Sequence, residues 1–181
     1  MVRRRLRNLI SRRKVRRLRQ RYDDGRWMVM YPSLIALWFY RRSRQAYQEG
    51  RTDRAQLLRG IGRIITAIDI SPRAEIGERF AISHGQGIVI GDAVIGDDCR
   101  ILQGVTIGRD GFEDHSDAPS AYPRIGDRVT IYAGAVVVGG VTIGNDAVIA
   151  ANAVVVEDVP SGVAVGGVPA RVIRTRPAGS P

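Results

Sequence analysis

The chain has 181 residues, 28 Lys+Arg against 18 Asp+Glu, and a formal net charge of +10 with a pI near 10.9. Such a balance taken whole would suggest phosphate binding, but its distribution excludes a uniformly basic protein: residues 1–26 hold twelve basic side chains and two acids, whereas residues 67–181 hold nine basic and fourteen acidic ones. A cationic arm is joined to a mildly acidic body. With one cysteine, Cys99, there is no internal disulfide, and no Cys/His cluster offers the spacing of a metal site.

Residues 1–66 read as a basic helical segment. Leu6, Leu9, Ile10, Val15 and Leu18 fall near helical spacing among Arg, followed by Ala55, Leu57, Leu58, Ile61, Ile64 and Ile65. Breaks at Asp23–Asp24–Gly25 and at Gly50 with Thr52 and Asp53 divide it into about three pieces. The longest apolar run, residues 27–40, contains Pro32 and ends in Arg41 and Arg42. At fourteen residues it is shorter than the roughly 17–25 that span a bilayer. Trp27, Tyr31, Trp38, Phe39 and Tyr40 between Arg-rich flanks suit peripheral contact with an anionic membrane through residues 1–42. A packing or oligomerisation appendage is the other reading. Within residues 1–21 no aromatic residues interleave with the basic ones, which argues against a nucleic-acid partner.

From residue 67 the pattern changes. Aliphatic residues recur every six positions: Ile70, Ile76, Ile82; Val89, Ile95, Ile101, Ile107; Ile125, Ile131, Val137, Ile143, Ile149, Val155. A six-residue period belongs to β-helix repeats. Small or modest residues follow four positions later (Ala74, Ala93, Cys99, Val105, Val129, Ala135, Val141, Ala147, Ala153), and Gly77, Gly96, Gly108, Gly126 and Gly144 stand directly after the aliphatic position, where a corner calls for positive φ. Each hexad is then one short strand and one corner, and three hexads make a triangular coil.

The rhythm breaks twice. Ile82 to Val89 is seven residues, which places one extra residue among 83–88, and His84 lies there. Irregularities of this kind re-aim side chains beside active sites. Residues 108–124 are polar, lack the aliphatic beat and read as a loop extruded from one corner. His115, among Asp114, Ser116 and Asp117, reads as solvated.

The stretches ISHGQGIVIGDAVIGDDCRILQGVTIG, AYPRIGD and GGVPARVI, in this order, resemble serine acetyltransferase and its relatives among the hexapeptide acyltransferases, including those that decorate polysaccharide. The resemblance covers residues 60–175. It implies a mainly β chain: a left-handed parallel β-helix over residues 67–175, preceded by the helical segment 1–66 and followed by a tail, 176–181. It also implies a homotrimer with active sites in the grooves between subunits, acetyl-CoA as co-substrate and no permanently bound cofactor or metal; with the basic arm, the expected location is the cytoplasm or the inner face of the membrane. His84 matches the family's catalytic histidine, with Ser83, Gln86 and Tyr122 facing the acceptor. Ala133 and Ala151 would line the pantetheine groove, and Arg171 with Arg174 would meet the CoA phosphates. Three positions depart from the pattern. Ser83 stands where the family has an acid before the histidine, and Ala121 and Tyr122 stand where it has Arg-His. These departures favour a sugar-like hydroxyl acceptor over serine, the alternative; a non-enzymatic trimeric scaffold with a binding arm is a third reading.

Overall fold

The computed structural model describes residues 31–111 and 121–175; the basic run 1–26, Trp27, His115 and the tail 176–181 lie outside them. Two helices open the described chain, α1 (Pro32–Gln48) and α2 (Thr52–Thr66). Proline suits the first turn of α1, where its missing N–H has no intrahelical partner. Gly50, at φ +74°, turns the chain back. The helices approach closely because Gly62 lacks a Cβ, which would sit 2.8 Å from Phe39 Cβ, and Ser43 Oγ donates to the Ala55 carbonyl (3.0 Å). No helix of the described residues is long and apolar enough to cross a membrane.

The hairpin is seated on the first coil of the body. Tyr40 is buried and its hydroxyl donates to the Ala74 carbonyl (2.9 Å), while Arg59 clamps Asp69 through Nε–Oδ1 (2.6 Å) and Nη2–Oδ2 (3.1 Å). The reading of Tyr40 and Phe39 as membrane-facing aromatics is therefore corrected: one plugs the end of the prism and the other packs on Gly62. Tyr31 and Trp38 remain exposed.

Fifteen short strands follow: β1 (Ile68–Ile70), β2 (Glu75–Ile76), β3 (Ala81–Ser83), β4 (Ile88–Ile90), β5 (Val94–Ile95), β6 (Arg100–Leu102), β7 (Thr106–Gly108), β8 (Arg124–Ile125), β9 (Thr130–Ile131), β10 (Val136–Val138), β11 (Thr142–Ile143), β12 (Val148–Ile149), β13 (Val154–Val155), β14 (Val163–Gly166) and β15 (Arg171–Thr175). They sort into three sheets, β1-β4-β7-β10-β13, β2-β5-β8-β11 and β3-β6-β9-β12-β14-β15, parallel throughout except where β15 returns antiparallel to β14. Taking every third strand is what a triangular coil does, and the five-stranded sheet marks five coils.

Register stacks the aliphatic residues into three columns: Ile70-Ile90-Ile107-Val137-Val155, Ile76-Ile95-Ile125-Ile143-Val159 and Ile82-Ile101-Ile131-Ile149-Val165. The small set from Ala74 to Ala153 is buried as expected. Strands of two or three residues have little stability of their own; the stacked core, at about 1.5–3 kcal/mol per fully buried aliphatic side chain, holds them.

Two local expectations change. Val89 is 42% exposed, and its neighbours Ile88 and Ile90 point inward. The coil thus takes two extra residues before β4 and drops one at the next corner, where Ala93 follows Ile90 by three positions. Gly77, Gly96, Gly108, Gly126 and Gly144 do not have positive φ; all but Gly108, which has open space beside it, serve close approach. A Cβ at Gly126 would fall on Asn145 Oδ1, the acceptor of the Asp127 N–H (2.8 Å). The left-handed residues of that edge are Arg79, Asp98, Arg128 and Asp146.

These four stack with alternating charge. Arg79 holds Asp98 through two bonds (2.6 and 2.8 Å), and Arg128 holds Asp146 likewise (2.8 Å each). The hydrogen bonds from Arg79, then its charge, lower the Asp98 carboxyl below the usual carboxylate range. A lowered folded-state pKa contributes stability above the unfolded value, near 3.9, and loses it as pH falls through the folded one. Arg79→Ala should raise the Asp98 pKa in an NMR titration and move acid unfolding to higher pH; an unmoved Asp98 would refute the pairing in solution.

Cys99 is buried at an inward position, its Sγ 3.0 Å from the Gly126 carbonyl, and burial pushes its thiol pKa up. Native protein should resist iodoacetamide and react once unfolded. Fast labelling of the native state would contradict this packing.

Candidate functional site

His84 stands where the chain leaves β3 for β4, at the edge between the third sheet and the first. Gly85 is buried directly after it, and a Cβ there would come within 2.8 Å of both Ile68 Cδ1 and Ile82 Cγ2. Only a glycine lets the chain tuck against β1 at this point. Gly87 N–H then donates to the Ala67 carbonyl (2.8 Å) and pins the loop to the end of α2. His84 itself takes a left-handed φ of +55° and is exposed. A histidine in that conformation is uncommon, and the two extra residues of this coil create it.

The same edge carries a ladder of peptides. Gly104 N–H donates to the Gln86 carbonyl (2.8 Å), Gly134 N–H to Gln103 (2.9 Å) and Asn152 N–H to Ala133 (2.9 Å). Gln86, Ala133 and Ala151 therefore lie on one line with the His84 loop. The line continues to Gly167, whose carbonyl accepts from Val154 N–H (3.0 Å), and to Arg171, opposite Gly166 at the start of β15. At about 4.8 Å per strand step, the five steps from the end of β3, where His84 stands, to Arg171 on β15 span roughly 24 Å. That is a track for an extended ligand with a base at one end and a guanidinium at the other. Arg171 is exposed and lies 3.4 Å from Glu157. Arg174, opposite Ala164, is further along β15, away from this edge.

Tyr122 is elsewhere. It lies near the end of the 108–124 excursion, at the edge between the first and second sheets, and its ring lies over Gly91, where a Cβ would be 2.7 Å from Tyr122 Cε1. Within one chain it does not share an edge with His84. Ser83 ends β3, half-buried and paired with Leu102. One acid near the loop was not visible in the residue pattern: Asp69, the sole acid on β1, held by Arg59 and 3.8 Å from Arg63. Its signal was drowned because it precedes Ile70 in an ordinary hexad. Two clefts of the single chain lie away from His84, one of about 200 Å³ between α1 and the first coil and one of about 280 Å³ between α1 and α2. The His84 edge is open.

A stacked six-residue coil with this edge is the architecture of the hexapeptide transferases, and the family described as bacterial transferase hexapeptide (six repeats) matches residues 122–156. The winding is accordingly that of a left-handed parallel β-helix. A serine acetyltransferase of Mycobacterium tuberculosis is 44% identical over 144 residues, covering 79% of this chain and 61% of that protein. One of Staphylococcus aureus is 39% identical over 148 residues, covering 81% and 68%. The crystal structure of the Brucella abortus serine acetyltransferase in complex with coenzyme A superposes with a TM-score of 0.76 at 36% identity, covering 80% of this chain and 57% of that one. The chain belongs to the serine acetyltransferase family. It spans about three-fifths of the length of the M. tuberculosis relative.

Proposed function

We propose that the chain transfers acetyl from acetyl-CoA to the hydroxyl of serine, with His84 as general base. The observation that carries this reading is the alignment of an exposed, left-handed His84 with Ala133, Ala151 and Arg171 along one edge. The hydroxyl proton passes to the imidazole as the oxygen attacks the thioester carbonyl; the O–C bond forms, the C–S bond breaks, and the imidazolium returns the proton to the departing thiolate. The small side chains of Ala133 and Ala151 let the pantetheine approach the peptide ladder, and Arg171 takes a phosphate. Arg174, set back on β15, is the weaker phosphate contact.

Asp69 takes over, in this reading, the orienting task that Ser83 cannot perform, because the His84 loop is pinned against its strand. Ser83 and Gln86 flank the acceptor. Tyr122 reaches an acceptor only if another subunit brings its edge to His84, and an open edge needs a second wall to exclude water, so we place the site between subunits of a homotrimer. The family relationship supports serine over the sugar-like acceptor that Ser83, Ala121 and Tyr122 had favoured, because the matched relatives are named for serine. An assay of CoA thiol release against L-serine and a panel of sugars should show turnover with serine. Turnover on a sugar with none on serine would overturn the assignment of acceptor while keeping His84.

A further inference from the structure

The helical hairpin carries a surface that acetyl transfer does not use. On α2, Leu57, Ile61, Ile64 and Ile65 recur at helical spacing on one face, with Ile64 82% and Leu57 63% exposed. This face is turned away from Ala55, Gly62 and Thr66, which pack inward. Nothing among the described residues covers it. Isolated exposed aliphatics are ordinary, but four in one stripe are not.

The charge around the stripe says what suits it. The hairpin holds seven Arg and two acids between residues 32 and 66. Arg44, Arg59 and Arg63 turn to Glu75 and Asp69 on the body, and Arg51 pairs with Glu49. Arg41, Arg42 and Arg54 have no acid in ion-pair range among the described residues. Arg54 shares the face of the stripe, and together with Arg42, Arg51, Trp38 and Leu58 it lines the cleft between the helices. The Arg42 guanidinium lies 5.7 Å from the Trp38 ring centroid. A second copy of the hairpin laid on this face would oppose unneutralised guanidinium to guanidinium. An anionic surface would meet them favourably and accept the aliphatics beneath.

We infer that α2 docks on an anionic phospholipid bilayer, with Leu57, Ile61, Ile64 and Ile65 at the headgroup boundary and Arg42 and Arg54 among the phosphates. Combined apolar and cationic contacts are what stable interfacial binding requires. The twelve basic residues of 1–26 precede α1 and add long-range attraction, but the stripe gives contact that salt does not screen. The inference is independent of the acceptor and of His84.

The test uses the full chain and vesicles of phosphatidylcholine with or without phosphatidylglycerol, read by co-sedimentation, with light scattering for mass and circular dichroism for folding. Binding should require phosphatidylglycerol. Ile64→Asp with Ile65→Asp should lower the partition coefficient by about tenfold or more, and Arg42→Glu with Arg54→Glu should lower it likewise, both with an unchanged melting profile, since all four side chains are exposed. Unchanged binding by the Ile variant would assign all lipid contact to the arm and overturn the inference. A fall in oligomeric mass for that variant without lipid would give the stripe to a second copy and overturn it equally.

Discussion

Replacing His84 with alanine is expected to lower kcat for acetyl transfer by about 10²–10⁴-fold, the range a positioned general base contributes, with CoA affinity unchanged. The separation follows from the geometry. His84 is at one end of the edge, whereas Ala133, Ala151 and Arg171 lie two, three and five strand steps further on, joined to it only through the peptide ladder. Removing an exposed imidazole leaves Gly85 buried and the Gly87–Ala67 bond intact, so the loop should keep its course. Among the described residues His84 is the sole histidine. Steady-state turnover with calorimetric CoA binding measures the split. Turnover retained within a few-fold would remove His84 from the chemistry, and loss of CoA binding along with turnover would mean that the loop shapes the groove. Asp69→Asn separates positioning from catalysis: a lower kcat with an altered pH profile is expected if Asp69 orients the imidazole, and an unaltered profile would leave it a partner of Arg59 alone.

Much of the body could be read in the residues because a solenoid's core repeats. The columns at Ile95, Ile101, Ile107 and from Ile125 to Val155 follow from a period of six, since each residue meets its equivalent one coil away and no distant part of the chain intervenes. The edge that joins Gln86, Ala133 and Ala151 is readable for the same reason. What failed was local. A beat of six cannot tell Val89 from Ile90 where the coil is irregular, because Ile88, Val89 and Ile90 are all aliphatic and only alternation across the strand decides which two point inward. Gly77, Gly96 and Gly126 lack the positive φ that their corner position suggests; their size is set in the coil beyond, where Asp97, Asp127 and Asn145 place an oxygen over the peptide. Tyr122, which its family position assigns to the acceptor, lies one edge away from His84 within the chain. The helical hairpin, which has no repeat, gave its element types but not which aromatics plug the prism.

The assignment of the inward residue at the His84 irregularity has a stability consequence. Ile90→Ala should destabilise by about 2–5 kcal/mol, the cost of truncating a fully buried aliphatic whose neighbours cannot close the gap. Val89→Ala should fall within about 0.5 kcal/mol, as an exposed substitution does. Ile90 has Ile70 above it and Ile107 below in the same column and is fully buried. Val89 registers with Asp69 and Thr106 on the outer face. Against a total stability of roughly 5–15 kcal/mol, the first change is a large share and the second is negligible. At about 2–4 °C per kcal/mol for a chain of this size, the two variants should melt several degrees apart by circular dichroism. Equal losses, or a larger one at Val89, would return the coil to a single inserted residue. The position of His84 depends on this outcome, because two extra residues before β4 give the loop room for the left-handed turn at His84 and the buried turn at Gly85. A single insertion would leave Ile88 pointing out and the loop without its inner anchor.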